Sequence, residues 1–133
     1  EQYEARLVRV RVEKSASVLF SDMAGSELPI VVAHGEGRAQ FAADDSVSNL
    51  ESSNRVALRY INNHGETASV FPANPNGSPN GITGMCNADG RINIMMPHPE
   101  RVFRSVQMSW SPSDWPEDSG WMRLFRNARV WVN

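Results

Sequence analysis

The stretch ARLVRVRVE, residues 5–13, constrains the fold more than any other part of the chain. Apolar and charged side chains alternate through it, and a period of two puts them on opposite faces of an extended backbone. It predicts a strand with one face in a core and the other in water. PIVVAH, 29–34, is a continuous apolar run with β-branched residues and predicts a buried strand. That strand stops at HGEGR, where two glycines permit unusual backbone angles. VALRYIN predicts a further strand, NNHGE a turn after it, and SVF the start of a return strand. PANPNGSPNG, 72–81, carries three prolines and two glycines, which excludes helix and regular strand. ITGMCN and RINIMM flank ADG and predict a hairpin.

Two helices are expected. DDSVSNLESSN, 44–54, predicts a short one with an Asp or Ser cap and only Val47 and Leu50 as apolar anchors. The clearer one lies at the end. Trp121, Leu124, Phe125, Ala128, Trp131 and Val132 follow the helical spacing, with Ser119 as the expected cap. All four tryptophans come after residue 109, so this end is expected to dock firmly.

The 133 residues suffice for one compact unit, or part of one, and show no repeat or linker. A net charge of −2 without a basic run argues against nucleic acid or an anionic membrane as the main partner. LPIVVA and INIMM are too short to span a bilayer. One cysteine cannot form an internal disulfide, which points to the cytoplasm. The chain lacks an initiator Met and enters a strand pattern almost at once, so it is expected to be part of a longer protein. His34, His64 and His98 lack the cysteine or acidic spacing of metal sites, and no metal is expected. HGEGR has G-x-G but no third glycine and no helix after it, so it fails as a dinucleotide site. It can still border a pocket.

MMPHPE carries the chemistry. A strand ending at Met96 would deliver His98 and Glu100 just past the sheet, two apart and pointing the same way. Pro99 biases His98 towards extended angles, and Pro97 stiffens the approach. An adjacent carboxylate sets the imidazole's tautomer and stabilises its protonated form. That is a catalytic base with its orienting group, lacking a nucleophile. The bland alternative is a surface ion pair. Cys86 does not supply the nucleophile: a turn centred near Asp89 pairs it with about Ile92, ~20 Å from His98 at ~3.3 Å per residue. The same register puts Asn80 and Gly81 opposite His98 and hangs the NPNGSPNG loop beside the pair.

HGEGR, LRY, NPNGSPNGITG, ADGRINIMMPHPERVFR and the closing WMRLFRNAR together closely resemble the carboxyl-terminal end of large, single-chain bacterial phosphoribosylformylglycinamidine synthases. The resemblance runs from about residue 27 to the end. It implies an α/β, flavodoxin-like class I glutamine amidotransferase fold, of which residues 1–133 are the carboxyl-terminal part: a mixed sheet with flanking helices. It implies a Cys-His-Glu triad whose H-P-E pattern maps onto His98 and Glu100. The family's cysteine lies in a G-x-C-x-G elbow further upstream, and no such elbow occurs here. Where Cys86 stands the family usually has another residue. Glutamine is the implied substrate, and His34, Asn76, Gly77 and Ser78 are implied pocket-lining residues. The missing amino-terminal half of the domain and the synthetase domains are the implied partners. ATP and Mg²⁺ are implied for those upstream domains, with no cofactor in this chain. The competing readings are a non-catalytic interaction module with a structural His–Glu pair, and another cysteine-dependent hydrolase.

Overall fold

A computed structural model describes residues 2–43 and 46–133. Five strands form one sheet: β1 (Glu4–Val12), β2 (Glu27–His34), β3 (Val56–Ile61), β4 (Ile82–Cys86) and β5 (Asn93–Met95), in the order β2-β1-β3-β4-β5. Two helices accompany it, α1 (Ser46–Ser52) and α2 (Met122–Trp131). The α/β expectation stands. Every strand pairing among the described residues is antiparallel.

The alternation in β1 does what its period requires. Val8, Val10 and Val12 are buried, and the register sets Val10 beside Leu28 on one side and Tyr60 on the other. Arg9 and Arg11 face outward and pair with Glu27 and Glu13. β1 is therefore an inner strand with one apolar face. β2 differs from its expectation of burial on both faces. It is an edge strand: Leu28, Ile30, Val32 and His34 are buried, while Val31 and Ala33 between them are only half-buried. A continuous apolar run cannot tell these cases apart, because side chains alternate sides whatever they are.

The sheet's apolar face is covered by irregular chain more than by helix. Phe20, Met23, Val102, Met108, Trp121 and Leu124 pack against it. Trp121 is wholly buried, and its indole N–H donates to the Pro29 carbonyl at 2.8 Å. Two residues before it, the Ser119 hydroxyl accepts from the Trp121 N–H at 3.1 Å, but the helix cap is Trp121 itself with no side-chain capping bond, so Ser119 is not the cap expected. The helix that follows meets the body mainly through Leu124 and Asn127. Phe125, Trp131 and Val132, expected on the docking stripe, are exposed. Firm docking of the tail thus rests on Trp121 and Leu124 with Trp115 packed beside the core, while Trp110 and Trp131 are exposed.

The remaining departures have local causes. α1 buries none of its residues, Val47 and Leu50 included; the Asp44 and Asp45 caps expected for it lie outside the described residues. SVF starts no strand. A single bridge joins Ile61 to Thr67, then Val70 and Phe71 face solvent and Pro72 removes a backbone donor. The β4–β5 hairpin forms one residue out of its expected register, with Cys86 opposite Asn93, because Asn87 and Ile92 close the turn through paired hydrogen bonds. Among the described residues no helix is long and apolar enough to cross a membrane.

Trp121→Ala should lower unfolding stability by about 3–5 kcal/mol through the cavity and the lost bond to Pro29. Trp131→Ala should change it by less than ~0.5 kcal/mol. Denaturant titration of the two variants measures the contrast; equal effects would contradict this account of how the tail is held.

Candidate active site

The antiparallel pairings bring particular strand ends to one edge. Glu4 opens β1 opposite His34, which closes β2. Ile61 closes β3, Ile82 opens β4, and Met95 closes β5, all at that same edge. The segments 35–41, 62–81 and 96–104 therefore leave the sheet together.

The approach to His98 is pinned. The Met96 N–H donates to the Thr83 carbonyl at 3.1 Å. The Met96 carbonyl in turn accepts from the hydroxyls of Tyr60, at 3.2 Å, and Thr83. Burial of Tyr60 pushes its phenol up to about 12, so it serves as a neutral donor. Pro97 and Pro99 are buried on either side of His98, which is extended as its prolines dictate. Glu100 is not extended. It sits in a 3₁₀ turn, Pro99–Arg101, where Val102 N–H bonds back to Pro99. The turn still brings the side chains together: His98 Nδ1 lies 2.9 Å from Glu100 Oε1. A carboxylate only accepts, so Nδ1 carries the proton and Nε2 is left with a lone pair. Nε2 has no hydrogen bond among the described residues, and the ring is half-exposed.

Cys86 is buried at the other end of β4. Its partner Asn93 lies five residues before His98, ~16 Å along extended chain. The pairing stops at Thr83 and Met96, so Asn80 and Gly81 are not held opposite His98 as the hairpin register suggested. Asn80 turns towards α1 instead, donating to Glu51 at 2.9 Å, while its carbonyl accepts from Arg59.

The 72–81 loop reaches the site by another route, through the segment after β2. Asn76 Nδ2 donates to the Glu36 carbonyl at 3.4 Å, and the Ala39 N–H donates to Ser78 Oγ at 3.1 Å. Buried Asn74 braces the loop from inside, donating to the Ala68 and Ser78 carbonyls and accepting from the Ser78 N–H. Segment 37–39 then crosses to the far edge of the sheet, where it shares a hollow of about 190 Å³ with Thr83, Met95 and Met96.

His34 and Asn76 thus meet, at Gly37. A Cβ there would lie 2.5 Å from His34 Cε1 and 3.0 Å from Asn76 Nδ2, and the backbone φ is +121°, so the position demands glycine. Ser78 is buried and spends its hydroxyl on the loop junction, so its share in a pocket is to hold the wall. Gly77 adopts a positive φ with open space around it. Glu36 and Arg38 flank Gly37 within HGEGR, the run expected to border a pocket, though nothing in the sequence singles out either. Both line a cleft of about 280 Å³ with Glu4 and Asn76. Their signal was two charged side chains alternating with glycines, which reads as ordinary loop composition. His64 is exposed in its turn. No group of three or more His, Cys, Asp or Glu among the described residues is placed to hold a metal ion.

His34 is buried with neither ring nitrogen hydrogen-bonded among the described residues. Burial, then the charge of nearby His98, holds its pKa below the ordinary 6.5; the main chain at Glu36 and His34 and the carboxylate of Glu4 oppose this without overcoming it. The unfolded chain therefore binds a proton that the folded chain resists, and stability is complete above about pH 6.5 and declines as pH falls below it. Urea titrations between pH 7 and 5 should show that decline, at no more than ~1.4 kcal/mol per pH unit for one proton. His34→Gln should flatten it. A slope unchanged in the variant would assign the decline to other groups.

Comparison with known proteins places this geometry. The structure of PurLQS from Thermotoga maritima shares the fold, with a TM-score of 0.66 and 22% identity over 99% of this chain and 49% of that one. The chain thus spans about half the length of the structure it matches. The model of the CobB/CobQ-like glutamine amidotransferase domain matches residues 1–132, nearly the whole sequence. The sheet with its His–Glu edge is a region of that domain, and the chain belongs to the CobB/CobQ-like glutamine amidotransferase family.

Proposed function

We propose that this chain is the base-bearing part of the glutaminase of a phosphoribosylformylglycinamidine synthase. It would release ammonia from glutamine for the ATP-dependent amidination of formylglycinamide ribonucleotide in purine biosynthesis. The observation that carries the reading is the 2.9 Å contact between His98 Nδ1 and Glu100 Oε1, with Nε2 unengaged at a shared strand edge. The likeness to PurLQS and the sequence motifs support the choice of parent enzyme.

The nucleophile is a cysteine on polypeptide outside this chain. His98 Nε2 takes the thiol proton, and the thiolate adds to the carboxamide carbon of glutamine. The tetrahedral intermediate collapses as His98 returns that proton to the departing nitrogen, giving ammonia and a γ-thioester. His98 then takes a proton from water, which attacks the thioester; the thiol leaves and glutamate is released. Glu100 keeps Nδ1 protonated and stabilises the imidazolium at each transfer. His34, Asn76, Gly77 and Ser78 form the wall of the pocket. ATP and Mg²⁺ act in the synthetase domains, away from these residues.

The partners are the amino-terminal half of the domain and the synthetase domains. β5 is an edge strand with Ile94 exposed, an unpaired surface of the kind that further chain covers. Exposure of Glu100 is the one observation favouring the rival reading, a structural ion pair in a non-catalytic module.

In the complete enzyme, His98→Ala and Glu100→Ala should each lower glutamine-dependent turnover by about 10²–10⁴-fold while ammonia-dependent turnover persists. Equal loss of both activities would contradict the roles assigned. The isolated chain should have no glutaminase activity and should regain some when mixed with the rest of the domain. Activity of the chain alone would exclude a nucleophile supplied from outside it.

A further inference from the structure

Glu36 and Arg38 carry opposite charges two residues apart and border the same cleft, yet they form no ion pair. Neither side chain has any charged or hydrogen-bonded partner among the described residues. Most arginines of the chain do pair with a carboxylate among the described residues, although Arg55, Arg101 and Arg129 do not. Arg6, Arg9, Arg11, Arg59 and Arg91 each find a carboxylate, three of them within two or three residues in sequence. Glu4, the other acid at the cleft, is already bound to Arg6 at 2.7 Å. The separation of Glu36 from Arg38 is built in by Gly37, whose φ of +121° turns the chain between them and whose missing side chain leaves the space that the His34 ring occupies. Beneath that turn lies buried His34, whose imidazole the main chain of Glu36 also reaches.

A cleft presenting a free guanidinium, a free carboxylate and the Asn76 amide suits a small molecule with both charges on one carbon. We propose that Glu36 and Arg38 are specificity-determining residues for the α-amino-acid head of the amide substrate. Arg38 takes the α-carboxylate, in the paired geometry a guanidinium offers. Glu36 takes the α-ammonium. Arg38 also borders the second hollow, which Met96, two residues before His98, lines as well. The assignment rests on the glutaminase reading above and names which residues select the substrate.

The test uses the complete enzyme, with Glu36→Gln, Arg38→Gln and His98→Ala. Three amides are compared: glutamine, glutaramate (no α-amino group) and 4-aminobutanamide (no α-carboxylate). Each is followed by kcat/KM, or by its inhibition constant where it is not turned over. Arg38→Gln should weaken glutamine about 10- to 100-fold, mostly in KM, and leave 4-aminobutanamide unchanged. Glu36→Gln should do the same for glutamine while leaving glutaramate unchanged. Each variant thus loses discrimination against one analogue only. Uniform loss across all three amides, or discrimination intact in both variants, overturns the assignment even where His98→Ala is inactive. Full glutamine turnover in His98→Ala overturns the glutaminase reading itself, and the assignment with it.

Discussion

The structure depends on a sheet that is apolar on one face. Val10 is the centre of that constraint: it is wholly buried, with Leu28 and Tyr60 as its lateral neighbours across the two ladders β1 makes. The residues between carry guanidinium groups, which must stay in water or find carboxylates. A slip of one residue would exchange the two sets, so register is strongly specified. With register set, the strand ends are set, and with them which loops share an edge. The functional geometry follows from that edge.

Holding an edge in place needs more than strands. The face under it is closed by Trp121, brought back across the sequence to the Pro29 carbonyl. That bond ties the last helix's entry to β2, the strand that ends in His34. At the other side of the sheet, the Met96 carbonyl collects the hydroxyls of Tyr60 and Thr83, tying β3 and β4 to the approach to His98. The two loops between are bound to each other at Asn76 and Ser78. Polar groups thus fix position while apolar burial supplies most of the driving force, a division expected where hydrogen bonds are directional and the hydrophobic effect is not.

The His–Glu pair is modest in isolation, since exposed ion pairs contribute little to stability. Its meaning comes from the mount. Two buried prolines, a 3₁₀ turn and an anchored carbonyl hold it where His34 and the Gly37 loop also converge. Such convergence of titratable groups and unpartnered polar atoms at one edge marks a site better than any single residue does.

Much of this was legible in the residues. The period of ARLVRVRVE determined a one-faced strand, the prolines beside His98 determined its extended backbone, and the spacing of His98 and Glu100 allowed their contact. These are local properties, dictated by sterics and by which side of the backbone each side chain leaves. Tertiary structure decided the rest. It made β2 an edge strand although its composition reads as interior, and exposed Phe125 and Trp131 on a helix patterned for burial. It also carried Glu36 and Arg38 to one cleft and left both unpaired. Those outcomes hinge on which surface each element meets across the fold, and contacts between residues far apart in sequence leave no periodic trace in the sequence that makes them.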